Sequence, residues 1–208
     1  MRKLILLGLI LFQGVLVYSQ VNTESISFGL RYPYPTGYNY INKGLDNGYL
    51  GIIDVEVDYG VLKLDKLSFG LLFNASHLKL SKTDMDLWII SPKIKIDYRI
   101  KINKFSLIPQ FGIGYSNWRF RSPAYTLYDE YGTAYKIEGY KRNENGLSLK
   151  TATKIEMNIN DRLQGFFQLA YEFTRLEKPE PPARNSNYNR NMQILYPVIG
   201  INWTFKKE

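Results

Sequence analysis

His77 is the only histidine in the 208-residue chain, and there is no cysteine. A histidine beside a serine, as here beside Ser76, is the material of a nucleophile–base pair. With a nearby carboxylate such a pair suits acyl transfer or hydrolysis. Consecutive residues of an extended strand point to opposite faces, however, so Ser76 and His77 could meet only across a bulge. A lone histidine without cysteines also gives no reason to expect a structural zinc site. Nothing in the sequence calls for a cofactor.

A second group of reactive side chains is larger and ordered. Arg31, Asp54, Glu56 and Asp58 come first, then Lys93, Lys95, Asp97, Arg99 and Lys101 at alternate positions, then Lys150, Lys154, Glu156 and Glu172. All fall on one parity of segments whose other parity is apolar. Within 86–102, Trp88, Ile90, Ile94, Ile96, Tyr98, Ile100 and Ile102 occupy the even positions. A period of two places these sets on opposite faces of a strand. Charge on one face and an apolar row on the other suit a wall between lipid and a polar lumen. Ions confined to such a lumen must pair, because an isolated buried charge is costly. The pattern is open to two readings, a salt-bridged plug and a narrow ion path.

Eight segments carry this alternation: 24–34, 50–62, 67–78, 86–102, 105–120, 146–159, 163–174 and 192–205. Each reaches the ~9–11 residues with which a tilted strand crosses a bilayer. Connections 63–66, 103–104 and 160–162 are tight, whereas 35–49, 121–145 and 175–191 are long and rich in Tyr, Asn, Gly, Pro and charge. The expected fold is all-β, an eight-stranded antiparallel up-and-down transmembrane β-barrel with short periplasmic turns and long extracellular loops. Pro92, Pro109 and Pro197 lie inside strands, on the lipid-facing parity. Each removes a ladder donor, so a bulge or a strand end is expected at each.

Residues 1–20 read as a secretory signal, with Arg2 and Lys3 before an apolar run over 4–17 and a small residue, Ser19, at the cleavage approach. Residues 21–208 then form a single barrel domain. Loss of Arg2 and Lys3 lowers the formal charge from +8 to about +6. The basic residues are scattered among acids, and an exported chain gives no reason to expect a nucleic-acid partner. Without cysteine, lipidation and a disulfide framework are both excluded.

Near the C-terminus, Gly200, Trp203 and Phe205 fit a Gly-x-x-aromatic-x-aromatic pattern. Here the chain resembles the small OmpA-like and OmpX-like outer-membrane barrels of Gram-negative bacteria. The resemblance covers the whole mature chain in layout but only the last strand in motif. Val198 replaces the polar residue expected two positions before the glycine, and three residues follow Phe205. It implies an outer-membrane location, contact with outer-membrane lipids, and recognition of the last strand by the barrel-assembly machinery. Tyr125, Tyr128, Tyr131, Tyr135 and Tyr140 lie in an expected outer loop. They suit either an adhesive surface for an extracellular ligand or envelope partner, or a loop folded on itself. Three functions stay open. One is a non-enzymatic barrel acting through its loops, with a plugged lumen. The second is a lipid-modifying hydrolase or acyltransferase using His77. The third is a secreted lipocalin-like barrel with its apolar rows turned inward.

Overall fold

The structure, a computed structural model, describes residues 25–36, 49–80, 86–128, 131–177 and 191–205. The expected signal segment lies outside the described residues. Eight strands form the wall: β1 (Ser25–Arg31), β2 (Tyr49–Leu64), β3 (Leu67–Leu80), β4 (Asp86–Tyr98), β5 (Phe105–Ser122), β6 (Tyr140–Asn158), β7 (Leu163–Leu176) and β8 (Asn191–Thr204). Each pairs antiparallel with the next, and β1 pairs with β8 from Ser25–Thr204 to Arg31–Val198, which closes the barrel. No sheet edge is left along the seam, as a spanning β-structure requires.

The turn end is built by short hairpins. Asp65 and Asn103 take positive φ, 52° in each case. Asp and Asn tolerate that region better than most residues. Between β6 and β7 the Asn160 side chain accepts from the amides of Arg162 and Leu163 at 2.9 and 2.8 Å. At the other end, part of the expected loop 121–145 is ladder. Residues 140–145 pair with 117–122, and Tyr125–Tyr128 pairs with Ala134–Ile137 as a small hairpin.

The three prolines produce neither bulges nor a change of strand count. At Pro92 the ladder to β5 lapses for Ser91 and Pro92 and resumes in the same register. Opposite Pro109 the fourth strand stops at Tyr98 and restarts as Ile100–Ile102. At Pro197 the first strand leaves the ladder after Arg31, and Tyr34–Pro35 rejoins β8 in register. Each lapse is two residues wide, the span a missing N–H leaves without a partner. The register shifts occur elsewhere, in β2 at Gly51/Ile53 and Gly60/Leu62.

The apolar rows face outward. Leu30, Leu71, Ile94, Phe111, Ile155, Phe167 and Ile201 are all exposed, and Ile199 reaches 67 %. So large an apolar surface is a membrane-facing wall and would not stay dispersed in water. This corrects the lipocalin-like alternative: the faces are inverted relative to a soluble ligand-binding barrel.

Candidate functional site

An eight-stranded wall leaves an interior about one side chain deep from every strand. The inward parity of each strand therefore decides what the lumen contains, and it contains three layers. In the middle layer Arg31 is fully enclosed. Its Nε donates to Asp54 Oδ1 at 2.6 Å, Nη2 donates to Ser76 Oγ at 3.0 Å, and Nη1 lies 3.3 Å from Glu172 and 3.5 Å from Glu56. The guanidinium also stacks over the Tyr196 ring, 3.9 Å from its centroid. Lys150, 0 % exposed, donates to Glu56 Oε2 at 2.6 Å, and Gln168 donates to the other oxygen at 3.0 Å. Lys93 donates to Glu172 and, at 2.6 Å, to Ser91. Residues on seven strands are thus tied across the lumen, with acids and bases in balance.

Toward the turns lies a second charged layer. Lys95 bridges Asp58, at 2.6 Å, and Asp97, and Lys154 reaches Asp58 at 3.3 Å. Arg99 sits in the break after β4, half-buried, and contacts Glu156 at 2.6 Å. Gly70 leaves the room that Lys95 uses, since a Cβ there would come within 2.8 Å of Lys95 Cε and 2.3 Å of the Tyr59 carbonyl oxygen. Lys101 keeps the inward side and lines the open turn end of the lumen, but makes no ion pair among the described residues. It lies on the Ile100–Ile102 extension beyond the last layer and is exposed at the mouth. The lumen has widened there, so parity no longer implies burial.

The third layer, toward the loops, is apolar. Leu78, Leu87, Ile89, Trp118, Leu176, Met192 and Ile194 are buried together on the inward parity. Their signal was available in the sequence. Runs such as Leu87-Trp88-Ile89-Ile90, and residues 194–199 of β8, are apolar on both parities. Strands greasy on both faces must bury one of them inside.

His77 stands on the outward face near the loop rim. Its ring stacks on Trp88 (centroids 4.2 Å apart, planes within 8°), and Nε2 is 3.1 Å from Asp86 Oδ1. Ser76 is on the other side of the wall, donating to Asp54 and accepting from Arg31. The register shift at Gly51/Ile53 falls opposite His77, but its extra residue is on β2, and β3 itself keeps Ser76 and His77 on opposite faces. A His–Asp pair can orient a base, yet the serine that would serve as nucleophile points into the lumen. Replacing His77 with alanine is expected to leave the lipid A and phospholipid profile of the envelope unchanged. A lost or gained lipid species by mass spectrometry would restore the catalytic reading.

The tyrosines separate. Tyr125, Tyr128 and Tyr135 belong to the small hairpin, with Tyr131 at its tip, 92 % exposed. Tyr140 is not a loop residue: it opens β6 and pairs with Ser122. Gly200 and Trp203 lie in β8, Gly200 opposite Gly29 and Phe166 and Trp203 opposite Ile26 and Leu163, while Phe205 follows the strand. Trp203 and Phe205 are exposed outward, at the level where aromatic rings sit at an interface.

No protein-family model matches the chain, and no curated protein matches it by sequence. Solved structures do. Neisserial surface protein A shares 12 % identity, with a TM-score of 0.55 over 88 % of this chain and 97 % of that one. A major outer membrane protein from Thermus thermophilus shares 12 %, with a TM-score of 0.57 over 88 % and 99 %. At this identity the likeness is one of fold. The chain is an outer-membrane-type β-barrel.

Proposed function

We propose that this protein is a closed, non-enzymatic barrel of the outer membrane, acting through the side that carries the long connections. One observation supports the reading: ion pairs link opposite walls across the middle of the lumen, and a buried apolar layer lies toward the loops. A lumen so braced is a strut for what it displays. The exposed hairpin with Tyr131 at its tip supports a contact surface there, because tyrosine supplies large amphipathic area at low entropic cost.

The rim supports contact with anionic lipid. Lys79, Asp86, Arg121 and Lys141 share one register row across four strands, and Lys79, Arg121 and Lys141 are exposed. Cations at this height, above an apolar belt, attract anionic headgroups.

In cells the protein is expected in the outer-membrane fraction, with a mobility on gels that changes on boiling. In planar bilayers it is expected to give no steady current. A soluble, unshifted protein, or a stable open current from the unmodified barrel, would sink the proposal.

A further inference from the structure

Two unlike features meet on the outer face of the wall around β4, β5 and β6. One is a trough of about 680 Å³ in the apolar belt, lined by Val57, Phe73, Pro92, Ile94, Tyr115 and Leu147 among others. The short Pro92 ring sits between Phe73 and Tyr115 on the flanking strands, so the wall is low along β4.

The other is a group of cations. Arg119 and Arg121 alternate on the outward face of β5, and Lys141 of β6 is directly opposite Arg121. All three are exposed and make no ion pair among the described residues. Arg119 is held by Nε, which donates to Asn117 Oδ1 at 2.8 Å, and Asn117 donates in turn to Asn145 at 2.6 Å. Three acids of this rim are engaged elsewhere: Asp86 by His77, Glu177 by Tyr115, and the inward Glu144 by Arg142. Glu138 precedes the ladder and pairs with none of the three cations. Like charges directly opposite on neighbouring strands destabilise a sheet, so Arg121 beside Lys141 calls for an anion.

Tyr115 and Leu147 line the trough, and Arg119 and Lys141 stand four and six residues above them on the same strands. At about 3.3 Å per residue these cations lie roughly 13 and 20 Å further up the wall. Between them and the trough come Asn117, Asn145 and the exposed Asn143, which is opposite Arg119 in the ladder. The order outward from the belt is apolar, amide, cation. It matches an acyl chain, a sugar with its linkages, and a phosphate. A phosphate monoester brings about −1.5 to −2 charges to the three cations, whereas a diester is singly charged. A second copy of the barrel is the wrong occupant, since a twofold contact would set the same three cations against themselves.

We propose that this face binds one phosphorylated glycolipid of the outer leaflet, its phosphate monoester on Arg119, Arg121 and Lys141 and one acyl chain in the trough over Pro92. Such a site presupposes the anionic-lipid contact of the loop-side rim and gives it one address and one occupant.

The test is native mass spectrometry of the full barrel in neutral detergent, supplied with one lipid at a time. The probes are bisphosphorylated lipid A, its dephosphorylated form, dioleoyl phosphatidic acid and dioleoyl phosphatidylglycerol. Lipid A is expected to add once per barrel, about tenfold or more tighter than each of the other three. The double variant Arg119→Gln/Arg121→Gln, at exposed positions outside any ion pair, is expected to keep the folded mobility on gels and lose at least about tenfold. Lys79→Gln, on the same rim but two strands away, is expected to bind like the parent. Ile94→Trp fills the trough from a lipid-facing position and is expected to weaken lipid A at least about threefold. Equal binding of lipid A and phosphatidylglycerol, with every rim variant alike, would overturn the site and leave the diffuse rim attraction standing. No preference for any charged lipid over the dephosphorylated form would overturn both. Phosphatidic acid binding as tightly as lipid A, or a trough-filled variant that binds unchanged, would also overturn the proposal.

Discussion

Replacing Arg31 with methionine is expected to destabilise the folded barrel by about 3–5 kcal/mol, the cost of breaking a buried ion cluster from one side. Arg31 is the cation that Asp54, Glu56 and Glu172 share, and its removal would leave Asp54 with only the Ser76 hydroxyl. Methionine fills much of the volume, so the loss is electrostatic rather than a cavity. Arg31→Lys keeps the charge but not the fork that reaches Asp54, Ser76 and Glu172 together, and should fall between the two. Urea titration of the barrel in lipid vesicles, read by the mobility shift on unboiled gels, measures this directly. A methionine variant within about 1 kcal/mol of the parent would show that the network is not what holds the middle of the lumen. The companion substitution Asp54→Asn tests the same cluster from the acid side.

The face each residue takes was legible because parity is a local property. Once Lys93, Lys95 and Asp97 alternate with Ile94, Ile96 and Tyr98, the two sides of that strand are decided wherever it lies. Partners were not legible. That Lys150 meets Glu56 on the opposite wall follows from the stagger of all eight strands, which no single segment encodes. The apolar layer was missed for a related reason. Leu87, Ile89 and Ile194 sit in stretches with no alternation, where a period of two cannot assign a face. Strand ends failed where polarity stood in for pairing. Residues 140–145 are polar yet ladder with 117–122, because an outer-membrane barrel can run its strands past the bilayer into water. Lys101 keeps its parity past the point where the strand breaks but makes no ion pair there among the described residues.

Gly200 separates two readings of the closing strand. As part of a Gly-x-x-aromatic-x-aromatic pattern it would act in recognition during assembly, a role exercised only in the cell. The geometry gives it a second role. A Cβ at Gly200 would lie 2.1 Å from the Phe28 carbonyl oxygen and 2.6 Å from Phe166 Cζ, and it would face Gly29 across the seam. The first of these is backbone of the strand that must pair with β8 to shut the barrel, so the seam itself would have to open. Gly200→Ala is therefore expected to fail outside the cell as well. Purified chain refolded into detergent should give a much smaller folded fraction and a penalty at or above the ~1–3 kcal/mol of overpacking. Gly29→Ala clashes with Val198 Cγ1, at 2.7 Å, a side chain that can be trimmed, and meets Phe166 Cζ at an ordinary 3.4 Å, so Val198→Ala should restore it. Trp203→Ala and Phe205→Ala touch exposed outward rings and should refold in detergent nearly as well as the parent, whatever they do in cells. If Gly200→Ala refolds like the parent and fails only in cells, the glycine is read by the assembly machinery and the seam has more slack than its packing implies. If it fails in both, the barrel cannot close on any side chain at that position, and the motif glycine is first a condition of the fold.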